Sequence, residues 1–407
     1  PRPHHRCEHR PVSAAPEHTL ILRPRVQRAS DSLRPTRAEI DLSAIAHTFP
    51  LVRAVVSPSR VLAVVKADAY GHGVVPVALR LQEERAFGFG VALAEEGLEL
   101  REAGIKSPIL VLNGVIGGAH TEVVHAGLTP VLYDLDEAEK FHRAAVRFGP
   151  DAQVGVHLKV DTGMSRLGVP DRSLPAFLEG LSAYPAVRID GVLTHLACAD
   201  SDPEFTRHQL ERFDAAVALV RARGHSPSLL HAANTAGALL HQASRHDMVR
   251  VGLALFGGGA LRFPEPADGA ALKPTMRLRS EVIALRQLEP GEVVGYDATW
   301  KAARPSVVAT VPVGYGDGLM RAHSQTGTAL VGGRRCPIVG NVSMDLTSVD
   351  VTDVPGVHVS SEVVFLGSQE GPDGTECLSA EEVAADAGTL PYEVWSAVSR
   401  RVPRLYP

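Results

Sequence analysis

VLAVVK (61–66), AFGFGVA (86–92), PILVLN (108–113) and TPVLY (129–133) are short, almost unbroken apolar runs. VGVHLKV (154–160), IDGVLTH (189–195), the run at 228–232 and MVRVGLALF (248–256) continue the series. Such runs read as strands covered on both faces. Helix-length segments separate them, among them 74–85, 135–147 and 204–223. The last, EFTRHQLERFDAAVALVRAR, carries an apolar stripe at helical spacing. Eight such units between about residue 44 and 260 predict a (β/α)8 barrel. A doubly wound sheet is the alternative, weakened because no GxGxxG follows the first strand.

After Lys273 the texture changes. Segments 275–287, 291–300, 306–314, 328–331, 336–339 and 345–352 are short and β-branched, with Pro, Gly and Asp between them. They predict a C-terminal all-β domain over 273–407. The barrel is expected over 44–272.

The whole chain has 407 residues, 45% hydrophobic and 21% charged, which is ordinary for a globular protein. Forty-one basic against 46 acidic residues leave a net charge of −5, which argues against nucleic acid as a partner. No apolar run reaches the ~20 residues of a membrane span. Cys7, Cys198, Cys336 and Cys377 form no CxxC pair, so no metal site is expected, and the usage fits a cytoplasmic protein. Residues 1–33 hold six Arg, three acids and four His without an apolar stretch. They are expected to be a disordered extension and not a secretory signal.

Barrel enzymes carry their chemistry at the C-terminal ends of the strands. There the runs offer Lys66, Lys159, His195 and Arg250. Lysine is scarce, six residues against 35 arginines, and an ammonium in an apolar strand is costly. A lysine ending VLAVVK reads either as a solvated side chain with its stem packed, or as a nucleophilic amine needing partial desolvation. The GlyHisGly at 71–73 favours the second reading, with backbone amides free to meet an anion. His195 is evenly balanced between a packed histidine and a site residue.

Residues 64–73, VVKADAYGHG, resemble the pyridoxal-phosphate motif of bacterial alanine racemases. The resemblance continues through RPTRAEIDL (34–42), HLKVDTGMSRLGV (157–169), GVLTHLACAD (191–200), HAANTAG (231–237), RHDMVRVGLALFG (245–257), VGYDATW (294–300), VPVGYGDGLMR (311–321) and GNVSMD (340–345). It spans roughly 34–407. It implies L-/D-alanine interconversion by a two-base route on pyridoxal 5'-phosphate, supply of D-alanine for peptidoglycan, and a head-to-tail homodimer with shared sites. It also implies that the first strand, 34–43, joins the β domain.

The same resemblance assigns residues. Lys66 would hold the cofactor and act as one base. Tyr296, from the partner subunit, would be the base on the opposite face. A normal tyrosine pKa near ~10 is high for that work, and the resemblance offers His195, in contact with Arg250, to lower it. Arg250 would donate to the pyridine nitrogen. Tyr70, Thr235 and the amides of Gly252 and Leu253 would serve the phosphate, with Asn234 beside Thr235 shaping the cofactor site; many members have serine at Thr235. Arg166 would meet the cofactor's phenolic oxygen and the substrate carboxylate. Lys159 would support Arg166, in many members as a carbamate. Tyr315, Met344 and Asp345 would come from the partner. Without the resemblance, Tyr296 reads as a packed strand aromatic.

Arg400 stands where many members carry a tyrosine hydroxyl for the phosphate. It would either pair with the phosphate or point away. That change motivates one alternative, a racemase of broader specificity. A non-catalytic carrier of the barrel alone, or a decarboxylase of the same plan, fits VGYDATW and GNVSMD less well.

Overall fold

The computed structural model describes residues 33–259 and 272–407. The expectation for residues 1–33 therefore lies, except at Leu33, outside the described residues, as does Cys7. Eight barrel strands run Arg60–Val64, Gly88–Val91, Ile109–Val111, Thr129–Leu132, Val154–Asp161, Val187–Leu193, Leu229–His231 and Met248–Val251. They pair in parallel in chain order, and the eighth returns to the first, with Met248 opposite Arg60 and Val251 opposite Ala63. Hydrogen bonds from Asp247 N to Leu230 O (3.1 Å) and from Arg250 N to Ala233 O (3.0 Å) join the seventh strand to the eighth. A sheet whose last strand pairs with its first is a barrel, which removes the doubly wound alternative.

The outer helices bury one stripe each. In Pro203–Ala222 the buried positions are Thr206, Gln209, Leu210, Phe213, Ala216, Val217 and Val220, at the three- and four-residue spacing of one helix face. Asp202 starts that helix by accepting from Phe205 N at 2.9 Å.

Two strand expectations need correction. The apolar run 248–256 is not one strand. The strand stops at Val251, and Leu253–Phe256 form a 3-10 turn whose last three residues are buried. Burial makes both pieces apolar, so composition alone could not divide them. The segment 291–300 is mostly loop, with two-residue strands at Val293–Val294 and Trp300–Lys301 and a turn at Tyr296–Ala298 with positive φ at Asp297.

In the β-rich domain, Arg37–Ile40 pairs antiparallel with Met276–Glu281 and parallel with Arg404–Leu405. The same sheet continues through Glu362–Gly371, Thr328–Val331 and Arg334–Pro337. A smaller sheet joins Ala284–Leu288, Ser306–Val311 and Thr347–Asp350. Glu39 ties the first sheet together, accepting from Arg277 at 3.0 Å and Arg279 at 2.6 Å. Two short helices, Ala380–Asp386 and Pro391–Ala397, follow the strands. One apolar core runs through both domains, from Phe49 and Phe89 to Val331 and Phe365. Among the described residues, no helix is long and apolar enough to cross a membrane.

Candidate active site

A cleft of about 800 Å³ opens at the C-terminal ends of the barrel strands. Its walls bring together Lys66, Tyr70, Lys159, Arg166, His195, Asn234, Thr235, Arg250, Gly252 and Leu253. Each follows or ends a barrel strand, which is how residues far apart in sequence converge.

Lys66 begins an unusual turn. Ala67, Asp68, Ala69 and Tyr70 all have φ of 51–54° and ψ of 40–55°, a left-handed helical turn without glycine. Each such residue costs about 1–2 kcal/mol, so neighbouring groups must hold the turn. Ala67 N donates to Glu96 Oε1 at 2.6 Å, and Val74 N to Asp68 Oδ1 at 2.7 Å. His72 Nδ1 lies 3.0 Å from the carbonyls of Ala69 and Tyr70.

The GlyHisGly reading is corrected here. A β-carbon on Gly71 would fall 2.4 Å from Trp395 O, and one on Gly73 would fall 1.9 Å from Tyr406 Oη. The glycines make room for the chain's own later segment and not for an anion. Another group of hydroxyls and amides lies across the cleft. Gly252 N donates to Thr235 Oγ1 at 3.1 Å. A β-carbon on Gly252 would meet the Tyr70 hydroxyl at 2.6 Å, so glycine there makes room for that hydroxyl. Asn234 spends its side chain on structure: Oδ1 accepts from Gly237 N (2.9 Å) and Nδ2 donates to Leu196 O (3.3 Å). It caps the helix Thr235–Leu240.

Arg250 is buried, and both of its Nη atoms are engaged by the chain. It donates to the carbonyls of Thr194 (2.7 Å), His231 (2.9 Å) and Ala232 (3.0 Å). Nη1 also reaches His231 Nδ1 at 2.9 Å, and Nη2 reaches His195 Nδ1 at 3.3 Å. His231 Nε2 lies 2.8 Å from His157 Nδ1. Burial lowers the Arg250 pKa to about 10. Burial, then the charges of Arg250 and Lys159, push His195 down to about 2. Lys66 is lowered by desolvation and by Arg166, with Glu96 opposing. Lys159 falls to about 8 through burial, Arg250 and Arg166. Cations crowd this cleft, and its imidazoles stay neutral.

Arg166 sits on a loop folded around Asp161, whose Oδ1 accepts from the amides of Gly163, Met164 and Ser165 at 3.0 Å each. The chain does not bring Tyr296, Tyr315, Met344 or Asp345 to its own cleft. Tyr296 is 74% exposed, Tyr315 43% and Met344 53%. Tyr296 is therefore no packed strand aromatic. The loops of Tyr315 and Met344 are laced together by Tyr315 N to Ser343 O (3.0 Å) and Gly316 N to Met344 O (2.9 Å). Asp345 is paired with Arg401 at 2.7 Å. Arg400 is exposed and is not among the residues lining the cleft. From that segment the cleft receives Tyr392, its ring 5.7 Å from that of Tyr70.

Sequence reasoning missed Tyr392, His157, His231 and Glu96. The histidines had a signal, since each is a polar residue inside an apolar strand. Tyr392 had none before the C-terminal helices were placed.

Residues 40–260 match the alanine racemase N-terminal domain family and residues 275–406 the C-terminal domain family. The chain belongs to the alanine racemase family. A curated alanine racemase from Sorangium cellulosum is 46% identical over 383 residues, 92% of this chain and 99% of that one. The biosynthetic alanine racemase structure from Pseudomonas aeruginosa is 37% identical, with a TM-score of 0.79, covering 92% of this chain and 100% of its own. The alanine racemase structure from Bartonella henselae, with covalently bound pyridoxal phosphate, is 29% identical, with a TM-score of 0.81 over 92% and 99% of the two chains. Membership of the alanine racemase family makes the chain an amino-acid racemase, an isomerase.

Proposed function

We propose that the chain interconverts L-alanine and D-alanine by a two-base route, with pyridoxal 5'-phosphate held on Lys66. One observation carries this reading: a desolvated lysine shares a cleft with a neutral cradle of hydroxyls and amides and with a buried arginine. The residues present fit the cofactor. Tyr70, Thr235 and the amides of Gly252 and Leu253 would take the phosphate, because hydroxyls and loop amides suit a dianion. Arg250 would donate to the pyridine nitrogen, since a guanidinium has no acceptor. When bound, the cofactor takes the amino group covalently and spreads the charge left at the α-carbon once its proton departs.

Proton exchange on both faces of that carbon needs two bases. Lys66 Nζ serves the face from which D-alanine loses its proton. Tyr296 of a second copy serves the other. The exposure of Tyr296, Tyr315 and Met344 on a domain away from the chain's own cleft supports a head-to-tail homodimer. Because Arg250 donates to His195 Nδ1, the His195 proton sits on Nε2. From there it would donate to the phenolic oxygen of Tyr296 and ease loss of the phenol's proton. Arg166 would bind the substrate carboxylate as a fork, with the Met344 amide from the second copy. Tyr315 would narrow the entrance, and Asp345 is steadied by Arg401.

Lys159 is the group beside Arg166 and Arg250 that has a free amine within reach of neutral pH. Its Nζ would add CO2 and release a proton, giving a carbamate anion between the two arginines. The product, D-alanine, would supply peptidoglycan synthesis in the cytoplasm.

The test is chiral chromatography of L-alanine incubated with purified protein and pyridoxal phosphate, with serine in parallel. D-alanine rising toward an equal mixture, with little turnover of serine, is the expected result. No D-alanine while cofactor is visibly bound would remove the reading. In Lys66→Ala, the visible absorbance of lysine-linked cofactor should be lost; its persistence would refute the assignment of Lys66.

A further inference from the structure

The turn that carries Lys66 and Tyr70 is gripped by the β-rich domain of the same chain. Tyr406 Oη donates to His72 O at 3.0 Å, and Arg404 Nε donates to Gly71 O at 3.0 Å. The rest of the Arg404 guanidinium is spent on the carbonyls of Val398, Ser399 (2.6 Å) and Val402 (2.8 Å). Arg404 therefore fastens Gly71 to segment 398–402 as one unit. The Trp395 ring lies 5.7 Å from that of His72. Arg404 and Leu405 are themselves paired with Ala38 and Glu39 in the large sheet. The contacts are close enough to exclude a side chain at either glycine.

We infer that Arg404 and Tyr406 are positioning residues for the cofactor site: they clamp the left-handed turn after Lys66 and thereby set cofactor affinity. The inference rests on the proposed role of Lys66. Four consecutive non-glycine residues in left-handed geometry persist only where surrounding contacts over-determine them. Lys66 and Tyr70 stand at the two ends of that strained run. If the turn relaxes in the cofactor-free protein, both move out of place together. The apparent affinity then falls by the fraction of molecules still holding the turn.

The experiment uses full-length apoprotein, titrated with pyridoxal phosphate and followed by absorbance. Amide hydrogen exchange is measured over residues 67–74. Tyr406→Phe removes one donor and little volume. It should raise the cofactor Kd about fivefold, the worth of one neutral hydrogen bond. It should also speed exchange at 67–74 while leaving distant barrel amides alone. Arg404→Gln should change both readouts in the same direction, and further. Arg335→Ala, which breaks pairs with Glu376 and Glu382 elsewhere in the β-rich domain, should change neither. Unchanged affinity and exchange in folded Tyr406→Phe would overturn the clamp, as would equal changes in Arg335→Ala. If the wild-type protein forms no lysine-linked cofactor, the role of Lys66 fails, and the exchange arm still decides the clamp.

Discussion

A guanidinium offers only hydrogens, so Arg250 dictates where protons sit on the imidazoles it touches. His231 Nδ1 must accept, its proton moves to Nε2, and His157 Nδ1 accepts in turn. His195 is held in the same tautomer. In the two-base reading this makes His195 a donor to Tyr296, and the roles of the two bases become separable. The enantiomers have equal free energies, so losing one base slows net racemisation equally in both directions. Exchange of the α-hydrogen with solvent is not so constrained. Tyr296→Phe in D2O should lower racemisation by roughly 10²–10⁴-fold. It should still exchange the α-hydrogen of D-alanine, through Lys66, while exchange in L-alanine is lost. Mass spectrometry of each recovered enantiomer reads this directly. Equal loss of exchange from both would refute the assignment.

The barrel strands fix where these imidazoles meet. His157 lies on the fifth strand opposite Gly191 of the sixth, and His231 on the seventh opposite Leu193 of the sixth. Side chains from alternate strands share a layer of the barrel interior. Both imidazoles are buried and neutral: burial lowers His157 to about 4, and burial with the Arg250 charge holds His231 well below its ordinary value. An unfolded histidine titrates near ~6.5. The neutral form is favoured on folding, so the stability it contributes is complete above about pH 6.5 and lost as pH falls toward 4. His157 alone should remove roughly 2–3 kcal/mol between pH 7 and 4. Thermal melts over that range should show a smaller fall in Tm for His157→Leu than for the wild type. An equal fall would assign the acid sensitivity elsewhere. The barrel strands were legible because burial on both faces leaves an apolar run between helix-length segments. The strand Glu362–Gly371 and the helices Ala380–Asp386 and Pro391–Ala397 were not. Their periodic stretches are too short, and a shared sheet and core decide their form.

For the whole molecule, one chain holds Lys66 in a cleft and Tyr296 exposed on another surface. In the proposed homodimer, a closed two-fold assembly would give each cleft the partner's tyrosine, so that every site would draw on both copies. Mixing Lys66→Ala with Tyr296→Phe under conditions of subunit exchange should then restore activity. Half of the dimers formed at random are mixed, and each mixed dimer has one site with both residues intact. Recovery should approach roughly a quarter of wild type. If lysine and tyrosine act within one chain, the mixture stays as inactive as its components.

The order of barrel strands, the change of texture after Lys273 and the lysine ending VLAVVK are local properties. Propensity, burial pattern and motif spacing act over a few residues, and the chain determines them wherever it is read. Tertiary structure alone decided what those residues face. It set the glycines of 71–73 against Trp395 and Tyr406, and it placed Tyr392 in the cleft while leaving Arg400 outside. It also joined His157 to Arg250 through His231. Most of these contacts close loops of many tens to hundreds of residues. No local preference encodes such a closure; it follows from packing both domains around one core.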